Sequence, residues 1–302
     1  MVGCAYHAHA SAAAPAAVSC RGYCPAAFCF NTAFYCPRSI YDIEEYKGSI
    51  YLNSENRGRI FKSSDGRNFR EVFRDTQSSY VLGFGLTEFQ VNLYASTQTM
   101  PEYGGELKIW KTSDGENWNQ VSLPIDTTRF WTHDFIEYNN RLYAFIVDQD
   151  NANDVGCFVT SDGNSWSWID LERGAGNVAF AKGVVWNNNI WIIGKGDSAG
   201  DNFYKVLRFN GTSIVEMYRY NGRPYATDIV VFNEILYLSD SVSWNATTGN
   251  ASLYKSLDGA SWSKVYDFPE HEITGMHVYN SALYIRTKHK GGTGKVYKYT
   301  GE

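Results

Sequence analysis

The chain has 302 residues, of which 44% are hydrophobic, 16% aromatic and 20% charged, and its net charge is −5. That is apolar material for one large repeat domain or two ordinary ones. The only basic run, Lys288-His289-Lys290, is too small a footprint for a nucleic-acid backbone. No apolar run approaches the ~20 residues that span a bilayer.

Residues 1–37 read as an N-terminal arm. Five of the six cysteines lie there: Cys4, Cys20, Cys24, Cys29 and Cys36. Their spacing matches no zinc pattern, although His7 and His9 keep a metal alternative open. A small disulfide-stapled arm is the expectation, with connectivity open and one thiol left over. The Ala-rich first 19 residues are interrupted by His7, His9 and Pro15 and have no basic stretch before them, which makes a poor secretory signal.

From residue 38 the chain repeats. Ser63-Ser64-Asp65-Gly66-Arg67-Asn68-Phe69 returns as Thr112-Ser113-Asp114-Gly115-Glu116-Asn117-Trp118, as Thr160-Ser161-Asp162-Gly163-Asn164-Ser165-Trp166 and as Ser256-Leu257-Asp258-Gly259-Ala260-Ser261-Trp262. Arg208-Phe209-Asn210-Gly211-Thr212-Ser213-Ile214 is a degenerate copy, and Lys298-Tyr299-Thr300-Gly301 a truncated one. The glycines stand at 66, 115, 163, 211, 259 and 301, in steps of 49, 48, 48, 48 and 42. A second marker is in phase with the first. Aromatic pairs five residues apart occur at Tyr46/Tyr51, Phe89/Tyr94, Tyr138/Tyr143, Trp186/Trp191, Phe232/Tyr237 and Tyr279/Tyr284, with turn-formers between them. Each reads as strand, tight turn, strand.

Each unit parses as four strands a–d. In the fifth unit they fall near residues 227–232, 235–238, 253–255 and 263–266, with Asp-Gly turning c into d. The expected fold is therefore all-β: a six-bladed β-propeller of four-stranded antiparallel blades. The blades run about 38–75, 80–124, 129–171, 177–220, 223–269 and 271–302. The last lacks strand d. Phe30–Pro37 matches Trp262–Pro269 in aromatic and apolar spacing, so residues near 28–36 are expected to supply the outer strand of the last blade. Pairing of that strand with a neighbouring chain is the alternative.

The Ser/Thr-x-Asp-Gly-x-x-Trp turn resembles a shortened Asp-box, the BNR-like repeat of sialidase-type propellers, with one residue fewer between Asp and the aromatic. The resemblance covers most of residues 38–302 as architecture. It implies that Asp65, Asp114, Asp162 and Asp258 are fold residues and that Trp118, Trp166 and Trp262 belong to the core. The sialidase arginine triad and opening strand find no match here: Cys36-Pro37-Arg38-Ser39-Ile40 has the wrong order, and Arg129, Arg173 and Arg223 are scattered. No catalytic residue is assigned.

A binding site is expected at the channel mouth, where the d–a connections meet the b–c loops, read over residues 96–105, 148–156, 195–202 and 239–251. Four residues before the first aromatic, the units read Asp42, Gly85, Asp134, Lys182, Asp228 and Gly275. Asp42, Asp134, Lys182 and Asp228, with Arg129, Trp131, His133 and Trp244, are the candidate binding residues. No cofactor is expected. Asp148, Asp150 and Asp154 place oxygens on alternate positions and are the candidates for a calcium ion. Cys157 aligns with the apolar residues of strand c and is expected in the core. Asn210, Asn245 and Asn250 stand in glycosylation sequons. Together these features point to an extracellular or cell-surface, non-catalytic module that binds a glycan or protein or takes part in structural assembly through its arm. A glycoside hydrolase or lyase using carboxylates at the channel mouth is the alternative.

Overall fold

The computed structural model describes residues 40–54, 57–76, 81–99, 105–128, 130–148, 155–171, 179–198, 201–221, 225–242, 249–288 and 294–301. The N-terminal arm, its five cysteines and the expected strand near 28–36 lie outside them.

The described residues form six antiparallel sheets, each a meander in chain order. The first is β1 (Ile40–Tyr46), β2 (Ser49–Ser54), β3 (Arg59–Ser63) and β4 (Arg70–Arg74). The second is β5 (Val81–Phe89), β6 (Asn92–Thr99), β7 (Leu107–Thr112) and the short β8 (Asn119–Gln120). The third is β9 (Phe130–Tyr138), β10 (Arg141–Asp148), β11 (Val155–Thr160) and β12 (Ser167–Asp170). The fourth is β13 (Ala179–Trp186), β14 (Asn189–Ser198), β15 (Asp201–Phe209) and β16 (Ile214–Asn221). The fifth is β17 (Tyr225–Phe232), β18 (Ile235–Ser241), β19 (Ala251–Ser256) and β20 (Ser263–Phe268). The sixth has three strands, β21 (Glu272–Tyr279), β22 (Ala282–Lys288) and β23 (Gly294–Tyr299).

In five of the six described sheets the first hairpin follows from its turn residues. Asn139-Asn140, Asn187-Asn188, Asn233-Glu234 and Asn280-Ser281 all hold positive φ at both positions, as do Lys47-Gly48. Two consecutive left-handed residues make a type I′ turn, whose twist matches that of the strands it joins. The register then places the two aromatics of each pair on facing strands, as in Glu44↔Tyr51 beside Tyr46↔Ser49. Their rings meet edge-on or tilted, with centroids 5.3 Å apart for Trp186/Trp191 and 6.4 Å for Tyr279/Tyr284.

The second hairpin turns on the Asp-Gly motif. Asp114 Oδ1 accepts from the backbone N–H of Glu116 and of Asn117, both at 2.8 Å, while Thr112 Oγ1 donates to it at 2.9 Å. Asp65 and Asp258 do the same in their turns. These bonds hold all three carboxyls below the usual carboxylate range, Asp258 at about 2. In the degenerate fourth copy Asn210 Oδ1 takes over, accepting from Thr212 N at 3.1 Å and Ser213 N at 3.0 Å.

The chain falls into two compact units, one of residues 1–135 with 163–165 and one of 136–162 with 166–302. In the first, Tyr46, Tyr51, Ile60, Leu86, Leu93 and Ala95 form a core between the first and second sheets. In the second, Tyr143, Phe145, Cys157, Phe180, Ile192, Leu207 and Phe209 pack together, Phe145 and Phe209 edge to face at 5.6 Å. Cys157 is fully buried there, and burial pushes its thiol up.

The aromatics and glycines interlock from sheet to sheet. Tyr51 Oη stands in the space that a Cβ on Gly115 would need. Tyr94 does the same at Gly163, where its hydroxyl donates to the glycine carbonyl at 3.2 Å. In the second unit the Trp191 indole covers Gly259. First aromatics reach the next sheet's hairpin turn: Tyr138 Oη donates to Asn188 O at 2.7 Å, and Trp186 Nε1 to Glu234 O at 2.9 Å.

Candidate functional site

The inner strands carry the positions singled out from sequence, and they carry them on bulges. The ladder of first and second strands slips between Ile40 and Asp42, Gly83 and Leu86, Phe180 and Gly183, Ala226 and Ile229, and Ile273 and Gly275. A bulge leaves backbone groups outside the ladder, and these need other partners. The second strand supplies them from one repeat position, two residues after the second aromatic. Ser96 Oγ accepts from Gly85 N at 3.0 Å, and Ser239 Oγ accepts from Asp228 N at 2.7 Å. Asn53 Nδ2 donates to Gly85 O and Ser96 O, both at 3.2 Å. Arg286 Nη2 donates to Thr274 O at 3.2 Å.

Asp42 and Asp228 are not open to a channel. Both are buried, 4% and 3% exposed. Asp42 Oδ1 accepts from Ile43 N at 3.0 Å, and its Oδ2 accepts from Leu86 N of the next sheet at 2.7 Å. Asp228 repeats this in the second unit, with Ile229 N at 2.9 Å and Met276 N at 2.7 Å. Each carboxylate thus joins the inner strands of two adjacent sheets. Two residues on, Glu44 Oε1 accepts from Glu88 N at 3.2 Å.

The electrostatics follow from this burial. Burial pushes the Asp228 carboxyl up to about 6, opposed by Lys182, by the hydrogen bonds from Met276 and Ile229, and by Arg286. Burial pushes Glu44 up to about 8, with Asp42, Glu88 and Glu45 adding to it and the Glu88 N–H opposing. A carboxyl at about 8 is protonated at neutral pH.

The two glycines in this series make room for neighbours. A Cβ on Gly85 would meet the Phe135 ring at 2.8 Å, and one on Gly275 would meet Arg286 Nη2 at 2.6 Å. Arg286 therefore lies where four of the other repeats carry Asp or Lys, and Lys182, Asp228 and Arg286 come from three successive sheets of the second unit.

The remaining candidates are dispersed. Asp134 is half-buried on β9, and Trp131 on the same strand lies 5.9 Å from the Phe84 ring. His133 and Asp148 sit in strands, but their side chains are outside the described residues. Arg129, Trp244, Asp150, Asp154 and Asn245 lie outside them altogether. Asn250 is exposed, and the carbonyl oxygen of its neighbour Gly249 accepts from His271 Nδ1 at 2.5 Å. Among the described residues no group of three or more His, Cys, Asp or Glu side chains could hold a metal ion, and no helix is long and apolar enough to cross a membrane.

Sequence reasoning missed two acids in the connections between sheets. Asp75 is buried, accepts from Thr97 Oγ1 at 2.8 Å and lies 3.7 Å from Lys108 Nζ. Glu270 is buried, accepts from Tyr297 Oη at 2.9 Å and lies 2.9 Å from Lys295 Nζ. By register, Lys108 and Lys295 hold the same place in their strands, each following from the lysine opposite the second aromatic (Tyr94↔Lys111, Tyr284↔Lys298). The loop expected over residues 195–202 is instead the end of a long hairpin, paired through Lys195↔Tyr204 to Ser198↔Asp201.

No family model and no curated protein matches the chain. Solved structures do. The chain is similar to a streptogramin B lyase at 16% identity, with 86% of this chain and 79% of that one covered and a TM-score of 0.58. It is similar to YCF48 bound to a D1 peptide at 11% identity, covering 85% and 81%, with a TM-score of 0.55. It is also similar to a mutant Trypanosoma rangeli sialidase with trans-sialidase activity at 13% identity, covering 87% and 54%, with a TM-score of 0.55. These likenesses show a β-propeller-type fold with sialidase-like architecture.

Proposed function

We propose that the chain is a closed six-bladed propeller that binds a glycan or a protein and does not turn it over. One blade corresponds to each of the six sheets, and the N-terminal arm completes the last. The observation that carries this reading is the use of Asp42 and Asp228: their oxygens hold backbone N–H groups of the adjacent inner strand. A glycosidase needs carboxylates that face substrate and water. In each unit the ligand end is then the one with the b–c and d–a connections, where Trp131 belongs in the first and His271 in the second. The fold accommodates such a role, since YCF48 is seen with a peptide. The reading includes an extracellular or cell-surface location, with disulfides among Cys4, Cys20, Cys24, Cys29 and Cys36 and glycans at Asn245 and Asn250; mass spectrometry before and after reduction and glycosidase treatment tests both.

A glycan array and a peptide panel, run beside chromogenic glycosides, test the function. Binding without turnover supports it. One observation favours an enzyme: the Glu44 carboxyl, raised to about 8, is protonated at neutral pH as a general acid must be. Turnover that Glu44→Gln abolishes while the fold persists would replace the binding reading with a hydrolase or lyase.

A further inference from the structure

The sixth sheet ends on β23, which differs from every other third strand. The ladder aligns these strands unambiguously, because the residue opposite the second aromatic is Lys62, Lys111, Val159, Arg208, Lys255 and Lys298 in turn. Two residues before it stand Ile60, Ile109, Cys157, Val206, Leu253 and Val296. The first five are 0, 0, 0, 0 and 1% exposed, whereas Val296 is 61% exposed. Five of these strands carry a fourth strand on their outer side; among the described residues β23 carries none. Among the described residues its outward N–H and C=O groups form an open edge beside exposed apolar surface, a template for strand addition.

The occupant is argued from the chain itself. β1 begins at Ile40, and 39 residues precede it. In the second unit two of the three connections from a fourth strand to the next first strand, residues 222–224 and 269–271, span three residues each, while residues 171–178 span eight. A strand ending at residue 36 leaves the same three, 37–39, before β1. Residues 30–37 also match 262–269, the segment holding the fourth strand of the fifth sheet, down to the proline that follows it. In that sheet Leu253 pairs with Tyr266 and Ala251 with Phe268. Carrying this register over sets Phe34 opposite Val296 and Cys36 opposite Gly294.

We propose that β23 is the acceptor for an antiparallel strand donated by residues 28–36 of the same chain, in the register that pairs Phe34 with Val296. This rests on the six-bladed reading above and gives it a specific latch. The Phe34 ring would lie beside Val296 on one face, and the donor would pair the outward backbone groups of β23.

Residue-resolved hydrogen exchange on the intact wild-type chain tests the acceptor. In an antiparallel ladder alternate amides of residues 294–299 point away from β22. They should exchange roughly 100-fold or more slowly than unstructured amides; rapid exchange there, with β21 and β22 protected, overturns the acceptor and leaves the propeller standing. Rapid exchange across β21 and β22 as well would instead sink the propeller reading. A full-length Phe34→Cys/Val296→Cys variant tests occupant and register, because directly opposed residues lie within disulfide reach. An intramolecular 34–296 bridge, mapped by mass spectrometry in the monomer, supports the proposal. A bridge found only between chains makes a second copy the occupant and overturns it, as does a folded variant with no 34–296 bridge.

Discussion

The Asp228 carboxylate accepts a hydrogen bond from the Met276 backbone N–H at 2.7 Å, across the gap between two sheets of the second unit. Asp42 makes the same bond to Leu86 N in the first unit, also at 2.7 Å. A side chain that reads in sequence as a channel carboxylate is therefore a joint of the fold. The reason is local. The inner strand bulges at this position, and a buried N–H left outside the ladder costs about 1–3 kcal/mol unless it meets an acceptor, which the carboxylate supplies.

Asp228→Ala removes the acceptor and strands the Met276 N–H. Urea unfolding should show a loss of about 1–3 kcal/mol. Asp228→Asn keeps one oxygen acceptor and should fall between the two. A variant as stable as wild type would mean that the bond contributes nothing.

Glu44 makes stability depend on pH. Its carboxyl rises from 4.5 to about 8 on folding, so the folded chain holds the proton more tightly than the unfolded one. Its contribution is complete below the unfolded value and is lost as pH rises through about 8. Glu44→Gln cannot titrate but keeps an oxygen for the Glu88 N–H. Urea midpoints measured across this range should fall with pH in wild type and flatten in the variant.

The glycine–aromatic interlock separates two costs. Gly115 and Gly48 both hold positive φ, at 74° and 70°. Nothing lies within 4 Å of a Cβ on Gly48, while Tyr51 occupies that space at Gly115. Gly48→Ala should cost about 1 kcal/mol, for the left-handed backbone alone. Gly115→Ala should cost on the order of 3 kcal/mol, since Tyr51 must also move. Equal thermal shifts would show that the interlock is loose.

The Asp-Gly turns predict an acid limb. Asp65, Asp114 and Asp258 are held low by backbone N–H groups, so their contribution is present above the usual carboxylate value and disappears as pH falls below it. Asp114→Ala should lower the melting temperature at neutral pH. Asp114→Asn should lower it less and remove part of the acid sensitivity, because Asn210 already caps its turn as a neutral amide.

Much of this fold is legible in the sequence because successive sheets restate the same two turns. The fifth unit's strands, read near 227–232, 235–238, 253–255 and 263–266, are observed at Tyr225–Phe232, Ile235–Ser241, Ala251–Ser256 and Ser263–Phe268. The extensions run past the points where the sequence turns polar. Ser239, Asp240 and Ser241 look like loop residues but are buried strand, where the Ser239 and Ser241 hydroxyls accept from Asp228 N and Ile273 N beside the bulges. Residues 195–202 likewise read as a loop but form the paired end of the β14–β15 hairpin. The role of Asp42 and Asp228 was half visible: the repeat marked the position as special, but only the register slip shows that backbone groups are its partners. Asp75 and Glu270 left no signal, since they fall between the two repeat markers and their partners Lys108 and Lys295 follow 33 and 25 residues later.

The central claim is that inner-strand acids hold adjacent sheets together. Amide exchange at Leu86 and Met276, compared between wild type, Asp42→Asn and Asp228→Asn, tests it most directly. The account predicts slow exchange at both amides in wild type, acceleration at Leu86 only in Asp42→Asn, and acceleration at Met276 only in Asp228→Asn. Exchange at these two amides that is already fast in wild type, or that neither substitution changes, would contradict it.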